Sequence, residues 1–425
     1  MNTRSTSGST SGESPRPPLG RAYWQLWGSS ALSNLADGVF KVGLPLVAIR
    51  YTREPGLIAG LTFAITLPWL LFSLQAGAMA DRLDRRRAMM GANLVRAALL
   101  VGLAVLTGLD LISIWMFYLF AFGIGMAETV YDTSSQSIIP QIVSKDQLSR
   151  ANGRLYAAEL TANQFVGPPL GGFLIAAGVV VGLAVPAALW VVAVGALWLV
   201  SGSFRVARDR PSTMRSDIAE GLRYLWGHGL LRTLGIVVGV FNLASNAVFP
   251  LFVIFAVGPG SVMGLSEPAY GALLTSIAVG SLVGSFAAEP IERRLGRARS
   301  LLLTAVGSSL LVGAPALTSD PIVLGVAFFI GGLTITIWNV ITVSLRQRIA
   351  PDHLLGRVNS GYRLLAWGTM PLGAALGGLL GQVLGVRPVF AIFALLTLSL
   401  VVPIGRITDA RIEAAEADGS GGAGE

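Results

Sequence analysis

The chain has no cysteine among its 425 residues and only two histidines, His228 and His353. Disulfides, thiolate metal sites and cysteine nucleophiles are excluded. Two histidines in expected loops are too few for a histidine-based metal centre, and no metal is expected. Charge is scarce as well. Asp, Glu, Lys and Arg make up 13% of the residues, against about 25% in soluble domains. No G-x-x-x-x-G-K-[ST] run is present to cradle a nucleotide phosphate, so no cofactor is expected and ATP drive would need another protein. No nucleophile–base pair or extra soluble domain marks a membrane enzyme or a receptor.

Apolar surface is what the chain has in excess. Hydrophobic residues reach 53% and the mean hydropathy is +0.67. A water-soluble core cannot hide that much, so the solvent for most of the chain is lipid. A helical crossing needs about 20 residues, and twelve apolar runs meet that length: 27–49, 57–80, 88–108, 111–136, 152–178, 180–204, 233–257, 268–290, 301–318, 321–345, 358–384 and 388–407. The expected fold is an all-α membrane protein with two six-helix bundles, 21–204 and 233–407. Residues 1–20, rich in Ser, Thr, Gly and Pro without a signal peptide's apolar run, read as a disordered cytoplasmic tail. Residues 408–425 read as a second polar tail.

The connector 205–232 is hydrophilic. Ser216 is a candidate N-cap, and Ile218, Leu222, Leu225 and Trp226 follow at helical spacing. That pattern fits an amphipathic helix on the membrane surface, though a plain linker helix between the halves is the preferred reading.

The net charge of +8 does not point to nucleic acid. With the N-terminus in the cytoplasm, Arg82, Arg85, Arg86, Arg87, Lys145, Arg150, the arginines of 205–232, Arg293, Arg294, Arg297, Arg299, Arg346, Arg348 and Arg357 fall on inner loops. Only Arg50, Arg53 and Arg387 fall outside. The asymmetry follows the positive-inside bias and places both termini in the cytoplasm of a cell-membrane protein.

The chain also repeats itself. IVSKDQLSRANGRLYAAELTANQFVGPPLGG at 142–172 returns as IAPDHLLGRVNSGYRLLAWGTMPLGAALGG at 349–378, an offset of about 207 positions that marks duplicated halves. Asn34-Leu35-Ala36 returns as Asn242-Leu243-Ala244, Gly77 as Gly284, and Tyr131-Asp132 as Trp338-Asn339.

A charge at mid-bilayer costs about 2.5–3.5 kcal/mol, so intramembrane charges face the bundle interior and are functional candidates. Helix 1 carries Asn34, Asp37 and Lys41 on one face, with Asp37 and Lys41 spaced to neutralise each other. Helix 4 carries Glu128, Tyr131 and Asp132; helix 5 carries Asn152, Tyr156, Glu159 and Asn163. Arg96 on helix 3 is a possible partner for one of the acids, and Arg363 lies on helix 11. Burial raises a carboxyl's affinity for its proton, the property a proton-driven transporter needs. The candidates for proton coupling are Asp37, Glu128, Asp132 and Glu159, with Lys41, Arg96 and Arg363 as charge partners. Permanent ion pairs that hold the helices together remain the alternative for each. Candidate cavity residues are Asn34, Phe40, Tyr131, Asn163, Asn242, Asn246, Phe249, Trp338, Asn339 and Trp367; for the aromatics, ordinary helix packing remains open.

Two motifs resemble those of the major facilitator superfamily. Gly77-Ala-Met-Ala-Asp81-Arg82-Leu-Asp84-Arg85-Arg86 is similar to the superfamily's loop signature between helices 2 and 3, with Asp84 in place of its second glycine. Gly167-Pro168-Pro169-Leu170-Gly171-Gly172 is similar to a helix 5 signature associated with antiporters. The wording around SNLADG and IAPDHLLGRVNS most resembles the branch with macrolide efflux proteins and the enterobactin exporter. The resemblance implies alternating access and export of small amphipathic molecules such as antibiotics against protons. A siderophore exporter, or an importer on the same fold, is the alternative. It further implies a conformational latch at Gly77, Asp81, Arg82, Arg85 and Arg86, and a gate at Gly167, Pro168, Gly171 and Gly172. Partners are lipid, a small-molecule cargo and protons, with no nucleic acid and a monomeric state expected. Helix 4 lacks the arginine that better-studied drug–proton antiporters carry there.

Overall fold

The computed structural model describes residues 18–144, 147–202, 204 and 214–421; the side chains at 73, 74, 76–82, 149, 214–218, 352, 353, 356, 360 and 418–421 lie outside that description. Candidates Gly77, Asp81 and Arg82 are among those side chains, and most of the expected N-terminal tail precedes residue 18.

The first half comprises α1 (Gly20–Ala48), α2 (Pro55–Arg82), α3 (Arg85–Gly108), α4 (Ile114–Ile142), α5 (Leu148–Glu159), a π segment (Leu160–Val166), α6 (Gly167–Ala177) and α7 (Val179–Trp198). After the connector helix α8 (Met214–Gly227) come α9 (Gly229–Ala256), α10 (Glu267–Leu295), α11 (Arg297–Leu317), α12 (Pro321–Ile349), α13 (Asp352–Gly368), α14 (Met370–Leu384), α15 (Val386–Ser399), α16 (Val401–Gly405) and α17 (Asp409–Gly421). Among the described residues eleven helices are long and apolar enough to cross a bilayer.

The expected fifth span appears as three pieces instead of one helix. Pro168 and Pro169 open α6 and bring no N–H to the preceding turn, and the backbone widens there into the π segment. Its repeat breaks at the equivalent place, between α13 and α14, where Pro371 opens the new helix. Elsewhere the ends follow simple chemistry. Asp320 accepts from Ile322 N at 2.8 Å and Val323 N at 3.0 Å to start α12. Gly296, at φ 80°, separates α10 from α11.

Packing obeys the duplication. In the first half α2 lies on α4, α1 on α6 and α7, and α3 on α4 and α7. In the second, α10 lies on α12, α9 on α14 and α15, and α11 on α12 and α15. The halves meet where α2 packs on α14 and α6 on α10, each seam the image of the other.

Three expectations need correction. Ser216 is no N-cap, because α8 already begins at Met214. The alternative of a helix lying free on a membrane surface also falls, leaving the preferred linker helix: Leu225 is fully buried, Tyr224 Oη donates to the Ile349 carbonyl at 3.1 Å, and Glu220 pairs with Arg357 at 2.6 Å. The expected C-terminal tail is largely the helix α17, docked on α11 and α12. Asp409 accepts from Ala298 N at 3.0 Å, Glu416 pairs with Arg297 at 2.8 Å and Arg348 at 3.2 Å, and Ile412 is buried.

Candidate functional site: a cavity between the two halves

The glycine motifs bring helix backbones together. A Cβ on Gly167 would strike Gly38 of α1, and one on Gly172 would fall on the Glu267 carbonyl of α10. Their repeats do the same work: Gly373 faces Leu243 of α9, while Gly378 faces Ala59 of α2, where its Cβ would lie 2.8 Å from that methyl. Each motif thus turns glycines toward its own half and one toward the other. Pro168 contributes its carbonyl to the seam against Gly271.

We call the end of the bundle where α1 begins the near face. Toward the opposite, far face the seams carry added links. Arg50 pairs with Glu267 at 2.9 Å, and Arg53 donates to the Val257 carbonyl at 2.9 Å. Arg50, Arg53 and Glu267 were not singled out as functional groups in the sequence, since charges near helix ends look alike until their partners are known.

Between the halves, on the near side of those seams, lies a cavity of 490 Å³. The first half lines it with Phe40, Lys41, Trp69, Glu128 and Asp132; the second with Asn246, Phe249, Trp367 and Met370. Lys41 pairs with Glu128 at 3.3 Å. Trp69 meets Trp367 edge-on across the halves, with centroids 4.7 Å apart. A second cavity of 450 Å³, sharing Trp367 and Met370, runs into the second half past Asn242, Trp338, Asn339 and Arg363.

Asp37 does not pair with Lys41, as its spacing suggested. It turns inward to Arg96, 3.3 Å away and fully buried. Ser33 and Asn93 complete the group, at 3.5 Å and 3.4 Å from Arg96 Nη1. The rings of Tyr131 and Trp190 sit 5.1 Å and 5.5 Å from the guanidinium. Tyr131 is therefore packed in this cluster, 2% exposed, and does not line the cavity. A buried charge costs several kcal/mol unless paired, which explains the crowd of partners.

Other candidates sort as follows. Asn34 bonds back to the Ser30 carbonyl at 2.9 Å. Asn163 lends its backbone to the close packing of the π segment on Gly38 of α1, within the first half. Asn242 donates to the Ala366 carbonyl at 2.8 Å, bracing α9 on α13. Glu159, at the end of α5, is exposed, and Lys41, Asp37, Arg363 and Glu128 are the charges that act on it. Arg363 donates to Gln136 Oε1 at 2.5 Å, a neutral partner across the gap. Arg346, counted among inner-loop charges, is instead inside α12 and buried.

The expected latch at Arg85 and Arg86 holds elements of one half. Arg85 donates to the Ser137 carbonyl of α4, and Arg86 to the Val200 carbonyl beyond α7. Asp84, the residue that departs from the superfamily signature, caps α3 by accepting from Arg87 N at 3.1 Å and binds Phe204 N at 2.9 Å. A glycine there could make neither bond.

Paired helical bundles around a cavity, with backbone seams closing one end, define a multi-pass membrane transporter of the major facilitator type, not an enzyme. The profile of the Transmembrane secretion effector family, MFS_3, matches residues 14–420, and the chain belongs to that family. It is 28% identical over 386 residues to the multidrug efflux pump Tap of Mycolicibacterium fortuitum, covering 86% of this chain and 90% of that protein. It is 22% identical over 416 residues to macrolide efflux protein A of Streptococcus pyogenes, covering 92% and 96%. Among solved structures, a bacterial homologue of the iron transporter ferroportin, in an inward-facing state, superposes with a TM-score of 0.68 at 17% identity, covering 95% of this chain and 100% of that one.

Proposed function

We propose that the chain is a secondary exporter of small amphipathic organic molecules, moved by alternating access against entering protons. One observation carries the reading: a cavity of 490 Å³ between the halves, sealed toward the far face, sets acids on the first-half wall among aromatics contributed by both halves. The volume suits a small molecule, and apolar walls with a few polar groups suit amphipathic cargo. The efflux activity named in the relatives supports the direction.

In this reading the near face is cytoplasmic, with both termini there, and α5, the π segment and α6 form the twelfth crossing. The domains are the two bundles 21–204 and 233–407, with 205–232 between them. Asp132 and Glu128 couple protons because both line the cavity. Asp37 holds Arg96 in place, and Glu159, exposed at the end of α5, is a secondary proton acceptor. Protonation of Glu128 would release Lys41, so cargo and proton compete for one charge network.

Cells with and without the gene should be compared for accumulation of labelled macrolides and other drugs, with and without a protonophore. Lower accumulation that depends on the gene and on the proton gradient is expected. Higher accumulation would make the chain an importer, and indifference to the protonophore would reject proton coupling.

A further inference from the structure

The two halves treat their buried cations differently. In the first half Arg96 has Asp37 and Lys41 has Glu128, so although Arg96 Nε and Nη2 are also buried without a hydrogen-bond partner, each cation has a counter-charge. In the second, Arg346 is 9% exposed, and its Nε and Nη1 atoms are buried without a hydrogen-bond partner. It lies on the wall of the 450 Å³ cavity, and among the described residues none of that wall is an Asp or Glu. Its guanidinium lies 3.7 Å from the centroid of the Tyr362 ring. That contact offsets part of the lost hydration but supplies no counter-charge. The titratable groups acting on Arg346 are Tyr362 and Arg363, and neither is negative at neutral pH.

Arg363 is the second guanidinium on the same wall. It too is held by neutral groups, the Gln136 amide at 2.5 Å and the Trp367 ring at 5.4 Å. Asp132 and Glu159 act on it from across the gap, and neither forms an ion pair with it. Among the described residues, two guanidinium groups therefore share one cavity whose own wall carries no acid. Helix-dipole stabilisation at the end of α12 accounts for a cation there, but not for unbonded N–H groups, which each cost free energy when buried. An arriving oxyanion would satisfy them and relieve the repulsion between the two arginines.

We propose that this cavity is a subsite for an organic oxyanion, a carboxylate or phenolate on an aromatic body, held by Arg346 and Arg363. Trp338, Trp367 and Tyr362 supply flat apolar surface for the ring. The subsite adjoins the cavity between the halves, with Trp367 and Met370 lining both, which sets it next to the acids of the first half. The inference rests on the exporter reading for its meaning as a cargo site, but its test does not require transport.

The test is calorimetric binding to the full chain in phosphatidylcholine nanodiscs. The probes are 1-naphthoate, its neutral isostere 1-naphthamide and the cation 1-naphthylmethylammonium. Wild type should bind naphthoate at least about tenfold more tightly than the amide, about 1.4 kcal/mol, with the cation weakest. Arg346→Gln should erase the preference, Arg346→Lys should keep part of it, and Arg363→Gln should reduce it severalfold. Thermal unfolding of each variant identifies any that misfold, and the three-probe comparison on wild type needs no variant. Equal affinity of wild type for naphthoate and naphthamide would overturn the proposal, as would a preference that survives in both folded glutamine variants. Loss of naphthoate binding when phosphatidylglycerol replaces phosphatidylcholine would assign the site to lipid headgroups and overturn it too. Naphthoate binding in a chain that exports nothing would sink the exporter reading and leave the subsite standing; export without anion preference would do the reverse.

Discussion

Arg50 and Glu267 form an ion pair 2.9 Å long that joins the end of the first helix to the start of α10 in the other half. It sits beside the seam where Gly172 meets the Glu267 backbone, so side chain and main chain close the far face at one place. If the far face opens during transport, this pair must break. Glu267→Ala and Arg50→Ala should shift the population toward a far-face-open state, while the exchange Arg50→Glu with Glu267→Arg should restore the balance. Because the chain lacks cysteine, single cysteines introduced near the seam report opening by their rate of modification. A severalfold faster rate in the alanine variants is expected.

Glycine at the seams should be irreplaceable by size. Gly172→Val places a side chain on the Glu267 carbonyl and should abolish transport and lower the unfolding temperature. Gly378→Val should do likewise from the other seam. Gly195, whose added Cβ would meet nothing within 4 Å, is the control, and Gly195→Ala should be silent. Overpacking typically costs about 1–3 kcal/mol, enough for a clear shift.

The acids should separate by role. Asp37→Asn leaves the Arg96 guanidinium buried without a counter-charge, and breaking such a pair costs about 3–5 kcal/mol. A large loss of thermal stability and of protein in the membrane is expected. Asp132→Asn removes a cavity acid that forms no ion pair among the described residues. It should leave the unfolding temperature within a few degrees and still abolish proton-coupled transport.

Asp84 gives a pH-dependent stability outside the membrane-spanning segments. Burial alone would push its carboxyl up, but the N–H groups of Phe204 and Arg87 and the charges of Arg86 and Arg87 outweigh burial and hold it below the usual range. Its stabilisation is therefore complete above the unfolded value of about 3.9 and fades as pH falls through the lower folded value. Wild type should exceed Asp84→Ala in unfolding temperature at pH 7. The gap should close under strongly acidic conditions.

Much of this arrangement was legible in the sequence because its cause is periodic. Helix length, the offset between halves and the paired glycine motifs all follow from lipid and close packing, and the seams at Gly172 and Gly378 show why both copies kept them. The pairing of charges was not legible. Spacing joined Asp37 to Lys41, whereas tertiary packing gave Asp37 to Arg96 on another helix. Arg346 looked like an ordinary loop arginine because positive-inside bias explains any basic residue near a helix end. The helix α17 was not legible because Ile412 is its one large apolar residue; among the described side chains, Ile412 and Ala415 are the ones that tie it down by burial.

The most direct test uses everted membrane vesicles energised to an acidic, positive interior and given a labelled macrolide. Wild type should accumulate the label inside, a protonophore should abolish the accumulation, and Glu128→Gln and Asp132→Asn should each fail to accumulate it while remaining folded in the membrane. Accumulation that persists both with the protonophore and in the two variants would contradict the claim that cavity acids between the halves drive export.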